Sequence, residues 1–224
     1  GTDFLVGELG GKSGYGGPTG ECRFWHWDYP RGGRIEMIEP MGRPGGFVHR
    51  FLERQGPGIH HVTFNVPSLS AICERAAALG YDVVGYDDRN PNWSEAFLHP
   101  KQAMGIVVQM VYSQGDEPDG GRPGRREGPA EPQRAAEPVS VVGVRMRASD
   151  RERALRQWHE LLEGECEELA DELIFTWPGS GMRIAVRIEP GSQDRSVAIE
   201  LRADRPLGLP DAPHRVLGTL FAQI

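Results

Sequence analysis

Two adjacent histidines open a short strand-like run, GPGIHHVTFNV, at residues 56–66. Side chains alternate between the two faces of a strand, so His60 falls on an apolar face with Val62 and Phe64. His61 falls on the opposite, polar face. Because imidazole is the commonest metal ligand in proteins, His61 is a candidate ligand. The alternative is a histidine with a purely structural role.

The same alternation predicts two further candidates in the middle of strands. Glu36 in RIEMIEP and Gln109 in GIVVQMVYS both fall on the face that does not pack against a helix. A carboxylate oxygen and an amide oxygen can both coordinate a divalent ion. Each side chain taken alone is more often part of a solvated sheet face. The hypothesis of a metal site therefore rests on Glu36, His61 and Gln109 together.

Composition narrows the class of protein. The chain of 224 residues is 38% hydrophobic and can bury a sizeable core, while its 30 Gly and 18 Pro imply many turns. A formal charge of -7 without a dense Lys/Arg run argues against nucleic acid or an anionic membrane as partner. Three cysteines without paired spacing fit a reducing compartment. With no leader segment and no apolar run near the roughly 20 residues of a membrane span, we expect a cytoplasmic protein.

One order of elements repeats along the chain. The sequence pattern of residues 58–113 predicts a strand, a helix that begins after Ser68 and stops at Gly80, and three further strands. Residues 139–224 predict the same order again. Residues 1–40 predict three strands alone, without the leading strand and helix of a module. An internal repeat is a stronger fold signal than any local pattern.

These repeats predict an α+β fold of βαβββ modules with mixed sheets. Residues 1–113 form one domain, residues 114–138 a flexible linker whose only apolar residues are alanines, and residues 139–224 an additional module. A capping box from Ser149 to Glu152 is predicted to start the helix of that additional module. The opening GTDFLVGELGG is predicted to combine the Gly-marked end of a helix with a strand, DFLVGEL.

Taken together, RIEMIEP, GPGIHH and AFLHPKQAMGIVVQMV resemble the vicinal oxygen chelate superfamily of glyoxalases, bleomycin resistance proteins and dioxygenases. The nearest branch is the methylmalonyl-CoA epimerase-like one, and the resemblance covers residues 1–113. It implies a glyoxalase-like fold in which two modules enclose a cup. Four side chains, from the first and last strands of the two modules, would hold one divalent metal ion there.

The resemblance assigns a place in the cup to each candidate ligand. His61 matches the ligand on a first strand, Glu36 the last-strand ligand of the preceding module, and Gln109 a position where epimerases carry glutamate. The fourth ligand, a histidine, would precede Gly1. We therefore expect the chain to be an N-terminally incomplete copy with three of the four ligands.

The implied chemistry is that of a divalent ion, Fe, Mn, Co, Ni or Zn, which chelates adjacent substrate oxygens and stabilises an enolate-like intermediate. The expected activity is that of an isomerase, a lyase or a dioxygenase acting on a small molecule. The two acidic proton shuttles of the epimerases fall at Arg23 and Gln109, so neither carboxylate is present. Glu21 is the candidate for a displaced catalytic base, and the alternative is a surface carboxylate.

Aromatic residues near Glu21 suggest a substrate-binding wall. Arg23, Trp25 and Trp27 share one strand face and are predicted to line the cup, where they suit a planar or acyl substrate with an anionic group. His26 is predicted to point to the packed face instead. The same wall also suits a non-catalytic protein that sequesters small molecules, as the bleomycin-resistance relatives do.

The C-terminal module lacks the candidate ligands. We call residues 58–113 the middle module. Gly143 and Glu200 are predicted to occupy the positions that His61 and Gln109 have in the middle module. Since one ligand does not make a site, we expect this module to serve pairing, either in a homodimer or over an open sheet edge. His99, in FLHPK, is expected to shape the turn before the last strand.

Overall fold

The computed structural model describes residues 1–114 and 132–224. Its helical segments are a π-helical segment Asp3–Glu8, α1 (Phe47–Gln55), α2 (Leu69–Ala78), α3 (Arg151–Leu155) and a π-helical segment Arg156–Leu161 that continues α3. Its strands are β1 (Lys12–Thr19), β2 (Cys22–Asp28), β3 (Arg34–Pro40), β4 (His61–Asn65), β5 (Val83–Asn90), β6 (Trp93–Leu98), β7 (Val107–Ser113), β8 (Ser140–Ala148), β9 (Glu165–Glu168), β10 (Glu172–Thr176), β11 (Arg183–Ile188), β12 (Arg195–Arg202) and β13 (Leu220–Gln223). In the described ranges, no helix combines the length and the apolar character needed to cross a membrane.

The described residues group into two compact units. The first unit contains residues 1–58, 132–144 and 198–224, and the second contains residues 59–114 and 145–197. This grouping cuts through strands β8 and β12. The division into a domain, a linker and an additional module stays a prediction.

The middle module has the predicted order of elements. Its four strands lie in the order β4-β7-β6-β5, with β4 parallel to β7 and the other pairs antiparallel. Helix α2 begins as predicted, since Ser68 Oγ accepts a hydrogen bond from the N–H of Ala71 at 3.3 Å. It ends before Gly80, whose φ of 84° favours glycine. Val108 and Met110, on the face of the sheet that packs with α2, are fully buried.

The start of the chain differs from the predicted strand. Residues Asp3–Glu8 are helical, so the prediction that DFLVGEL forms a strand is wrong, whereas the predicted Gly-marked helix end is present at Gly10. Phe4, Leu5 and Val6 are all buried. In a strand, Leu5 would point to the face opposite Phe4 and Val6. A helical turn buries the three successive side chains more readily.

The first sheet has the order β1-β2-β3 and is antiparallel throughout. Strand β1 was not predicted, because its sequence KSGYGGPT is rich in residues that disfavour strands. Its position at an edge of the sheet accommodates Pro18. Gly16 is required there by close packing, since a Cβ atom would lie 2.4 Å from the Trp25 ring.

The third sheet has the order β13-β12-β8-β11-β10-β9. Within it, β8-β11-β10-β9 repeats the first-last-third-second strand order of the middle module, so β11 is the last strand of the C-terminal module. Glu200 lies on β12, on the other side of β8. The predicted equivalence of Glu200 and Gln109 is therefore wrong. The prediction is wrong because it omits the short acidic strand β9. As a result, it assigns β12 as the last strand of the module in place of β11.

The helix of the C-terminal module begins one residue later than predicted. Asp150 is the N-cap, and its Oδ1 accepts hydrogen bonds from the N–H groups of Glu152 and Arg153 at 2.8 and 3.3 Å. Ser149 instead donates its hydroxyl to Asp194 at 3.0 Å. The predicted capping box is wrong because an aspartate one position later competes for the same N–H groups.

Most of the predicted linker, residues 115–131, lies outside the described residues. The part that is described, residues 132–138, belongs to the first unit and contacts other residues of it. The N–H of Ala136 donates to the carbonyl oxygen of Gly7 at 3.0 Å, and Arg31 forms an ion pair with Glu137 at 2.9 Å. These contacts hold the end of the predicted flexible segment in place.

A histidine closes the C-terminal loop of the first unit. Nδ1 of His214 accepts hydrogen bonds from the backbone N–H groups of Val216 and Leu217 at 3.3 and 3.2 Å. Its ring centroid lies 4.5 Å from that of Phe4. Because Nδ1 acts as an acceptor, the ring is neutral here, and burial lowers the pKa of His214 below its ordinary value of 6.5.

We expect the free energy of unfolding to fall as the pH drops below about 6.5. The unfolded chain has the higher histidine pKa and binds the proton first, so protonation favours unfolding, while above that pH both states are neutral. Denaturant titrations at about pH 5.5 and 7.5 would compare the wild type with His214→Gln, which keeps an acceptor but does not titrate. An equal loss of stability in both proteins at the lower pH would contradict this expectation.

Candidate functional site

The polar face of the four-stranded sheet carries two of the candidate ligands. His61 lies on β4 opposite Val107, and Gln109 lies on β7 opposite Thr63. Both side chains are partly exposed, and both point away from the buried face that packs with α2. The predicted face of His61 is confirmed by this register. The two residues occupy neighbouring parallel strands, two positions apart along the strand direction.

Gln109 belongs to a chain of hydrogen bonds across this face. The Thr63 hydroxyl donates to Gln109 Oε1 at 2.7 Å, and Gln109 Nε2 donates to Glu95 Oε2 at 2.8 Å. Trp93 Nε1 donates to the same carboxylate oxygen at 3.3 Å. Glu95 is not among the residues predicted from the sequence. Alternation in WSEAFL could have found it, because Ala96 on the opposite face is fully buried.

Glu36 on β3 lies directly opposite His26 on β2. Glu36 Oε2 and His26 Nε2 are 2.5 Å apart, and the two side chains are 28% and 10% exposed. His26 Nδ1 is buried, and no hydrogen-bond partner for it lies in the described part of the chain. The His26 ring is packed against Tyr15 and Phe24, with centroids 4.4 and 5.3 Å away. The prediction that His26 and Glu36 face opposite ways is therefore wrong.

The predicted substrate-binding residues lie on the other face of this sheet. Trp27 is 1% exposed and its Nε1 lies 3.3 Å from Met37 Sδ, so it is part of the core. Trp25 is half-buried, and its Nε1 donates to Ser13 at 3.0 Å. Because neither tryptophan shares a face with Glu36, the two strands do not provide a common wall of these three side chains.

Arg23 and Glu21, at the start of β2, both have partners in the structure. Arg23 forms an exposed ion pair with Glu39 at 3.1 Å. Glu21 Oε2 accepts a hydrogen bond from the N–H of Phe47 at 3.2 Å, which places its negative charge at the N-terminus of α1. Glu21 thus stabilises the start of a helix, and its catalytic role stays a prediction.

The candidate ligands are divided between the two units. Glu36 belongs to the first unit, while His61 and Gln109 belong to the second. In residues 1–114 and 132–224, no group of three or more His, Cys, Asp or Glu side chains is close enough to hold a metal ion. The three cysteines are free thiols, as the sequence indicated. Burial, with nearby Glu36 and Glu21, raises the pKa of the Cys22 thiol and disfavours its reactive thiolate form.

The fold is shared with solved structures. A variant of 4-hydroxymandelate synthase from Streptomyces coelicolor covers 91% of this chain and 66% of its own, with a TM-score of 0.59 and 15% sequence identity. At this identity the likeness is one of fold alone. The predicted α+β architecture of mixed sheets with few helices is thus confirmed, and it is a fold that this chain shares with the synthase.

Sequence comparison finds a similarity over part of the chain. Residues 17–97 match the family model of the Glyoxalase/Bleomycin resistance protein/Dioxygenase superfamily. The uncharacterized protein YqjC of Bacillus subtilis is 34% identical over 89 residues, which are 38% of this chain and 61% of YqjC. An ethylmalonyl-CoA/methylmalonyl-CoA epimerase of Cereibacter sphaeroides is 31% identical over 81 residues, 34% of this chain and 60% of the epimerase. The chain thus spans about three fifths of these relatives. The predicted resemblance is confirmed for residues 17–97, which are similar to proteins of this superfamily.

Proposed function

We propose that this chain carries a divalent-metal-dependent site of the vicinal oxygen chelate type. It would act as an isomerase, lyase or dioxygenase on a small molecule with two adjacent oxygen atoms. The observation that carries the proposal is the pairing of His61 and Gln109 on the polar face of neighbouring strands β4 and β7. Glu36 is the proposed third ligand.

The donor chemistry of these residues fits a divalent ion. An imidazole nitrogen, an amide oxygen and a carboxylate oxygen form a mixed set that Fe, Mn, Co, Ni and Zn accept. All three side chains also have an outer hydrogen-bond partner, since His26 contacts Glu36, Glu95 contacts Gln109, and Nδ1 of His60 lies 3.2 Å from Nδ1 of His61. Outer partners of this kind orient metal ligands in proteins. They support the proposal without identifying the metal.

The chain's own residues would hold and orient the substrate. Glu36, His61 and Gln109 would hold the divalent ion, which would stabilise negative charge that develops on the substrate. Glu21 is the proposed base. Arg23 and Trp25 lie on the face of the sheet opposite Glu36, so we propose them as contacts for an anionic or planar ligand only under the second candidate function below. The epimerase relative suggests an acyl-CoA thioester as one substrate class to test. Assembly as a homodimer is also a proposal.

Metal titration tests the proposed function directly. We expect the full chain to bind about one equivalent of Mn²⁺, Co²⁺ or Zn²⁺ in calorimetric titrations, and His61→Ala to bind at least about tenfold more weakly. His99→Ala is the matched control, because the exposed His99 ring accepts the N–H of Lys101 in a turn, as predicted from the sequence. Equal metal affinity in the wild type and His61→Ala would show that His61 is not a metal ligand.

The second candidate is a binding protein that sequesters small molecules without a metal. Within residues 1–114 and 132–224, no three His, Cys, Asp or Glu side chains lie close enough together to hold a metal ion, which favours this candidate. Fluorescence of Trp25 and Trp93 would be measured with bleomycin and with planar aromatic carboxylic acids in the presence of EDTA. Quenching that persists with EDTA supports sequestration, and quenching that EDTA abolishes supports the metal site.

A further inference from the structure

Gln109 is held at both ends of its amide group on the polar face of the four-stranded sheet. Its oxygen accepts the Thr63 hydroxyl at 2.7 Å, and its NH₂ group donates to Glu95 at 2.8 Å. A carboxylate is only an acceptor, so Glu95 can bind the NH₂ end of the amide but not the oxygen end. This contact directs the amide oxygen of Gln109 away from β6 and towards β4, the strand that carries His61.

The carboxylates of Glu95 and of the adjacent Asp87 have different kinds of hydrogen-bond donor. Asp87 lies opposite Glu95 on β5, and both of its carboxylate oxygens accept hydrogen bonds from Arg89 at 2.9 and 2.5 Å. Within residues 1–114 and 132–224, the hydrogen bonds to the Glu95 side chain come from Gln109 and Trp93, which are both neutral groups. Glu95 therefore places a negative charge beside the amide that the superfamily resemblance aligns with a glutamate ligand.

We propose that Glu95 is a positioning residue for Gln109 and supplies the negative charge that the neutral amide lacks. The inference rests on the proposed function, because it assumes that the Gln109 oxygen faces a cation. The amide would contact the ion, and the carboxylate behind it would polarise the amide and raise the electron density on its oxygen. In this pair, Gln109 on β7 would provide the ligand oxygen and Glu95 on β6 the negative charge. A single glutamate ligand would provide both.

The test moves the negative charge from position 95 to position 109 and measures metal affinity. Glu95→Gln removes the charge, and we expect it to weaken Mn²⁺ affinity by about 10–100-fold in calorimetric titrations. Adding Gln109→Glu to Glu95→Gln moves the carboxylate to the ligand position, and we expect Mn²⁺ affinity to return to within about threefold of the wild type. Glu74→Gln, an exposed acid on α2, is the control for loss of charge alone.

An NMR measurement separates this inference from the proposed function. The side-chain NH₂ resonances of Gln109, assigned by their loss in Gln109→Glu, are expected to shift in metal-free Glu95→Gln but not in Glu74→Gln. Wild-type protein that binds no Mn²⁺ overturns the proposed function, and the charge-supplying role with it, whereas the NMR shift still reports on positioning. Wild-type protein that binds Mn²⁺, with Glu95→Gln binding equally well and no NMR shift, overturns the inference and leaves the proposed function standing.

Discussion

Replacing Trp27 by alanine is expected to lower the free energy of unfolding by about 3–5 kcal/mol. Trp27 is 1% exposed, so its removal leaves a large cavity in the core of the first unit. The partner of its indole N–H, the sulfur of Met37, would lose a contact as well. Urea titrations followed by circular dichroism measure this difference, provided that the slope against urea stays unchanged.

Trp25 is the matched control for Trp27. It lies two positions away on the same face of β2 but is only half-buried, and its indole N–H donates to Ser13. We expect Trp25→Ala to cost about 1 kcal/mol. If the two substitutions destabilised the protein equally, the assignment of Trp27 to the core and of Trp25 to the surface would be wrong.

Removing the Glu36 carboxylate is the second change with a large expected effect. His26 is nine-tenths buried, and its contact with Glu36 satisfies one of its two ring nitrogens while the other has no partner among the described residues. We expect Glu36→Ala to lower the free energy of unfolding by about 1.5–3 kcal/mol, since a buried ring then loses a hydrogen bond to a charged group. Under the proposed function, Glu36→Ala should also weaken metal binding by at least about tenfold.

A double-mutant cycle isolates the energy of this contact. The variants Glu36→Ala, His26→Ala and the double variant give the coupling free energy between the two side chains. The exposed pair Arg23 and Glu39, which joins the same two strands, is the control and should couple by about 0–1 kcal/mol. A coupling for Glu36 and His26 no larger than that of the exposed pair would contradict the expected contribution.

The faces of the middle module could be predicted from the sequence. Alternation along IHHVTFNV placed His61 on the polar face, and the register with β7 agrees. Each residue in this strand belongs clearly to an apolar or a polar set, so the choice of the packed face followed from composition. Ser68 and Gly80 marked the helix ends for a similar reason, because capping depends on a few neighbouring residues.

The faces of β2 could not be predicted in the same way. Alternation separates Phe24 and His26 from Trp25 and Trp27, but both sets contain aromatic residues. Composition therefore does not indicate which set packs inward. The structure buries Trp27 in the core and pairs His26 with Glu36, a choice that depends on the register between β2 and β3.

The sequence by itself determined the order of elements in residues 58–113, the faces of their strands and the resemblance to the superfamily. These features depend on alternation, capping and turn residues, which act between neighbours along the chain. Tertiary structure alone decided that Trp27 belongs to the core, that Glu36 contacts His26 and that Glu95 holds Gln109. The physical reason is that each of these contacts joins different strands, and strand pairing and register are set by packing between residues distant in sequence.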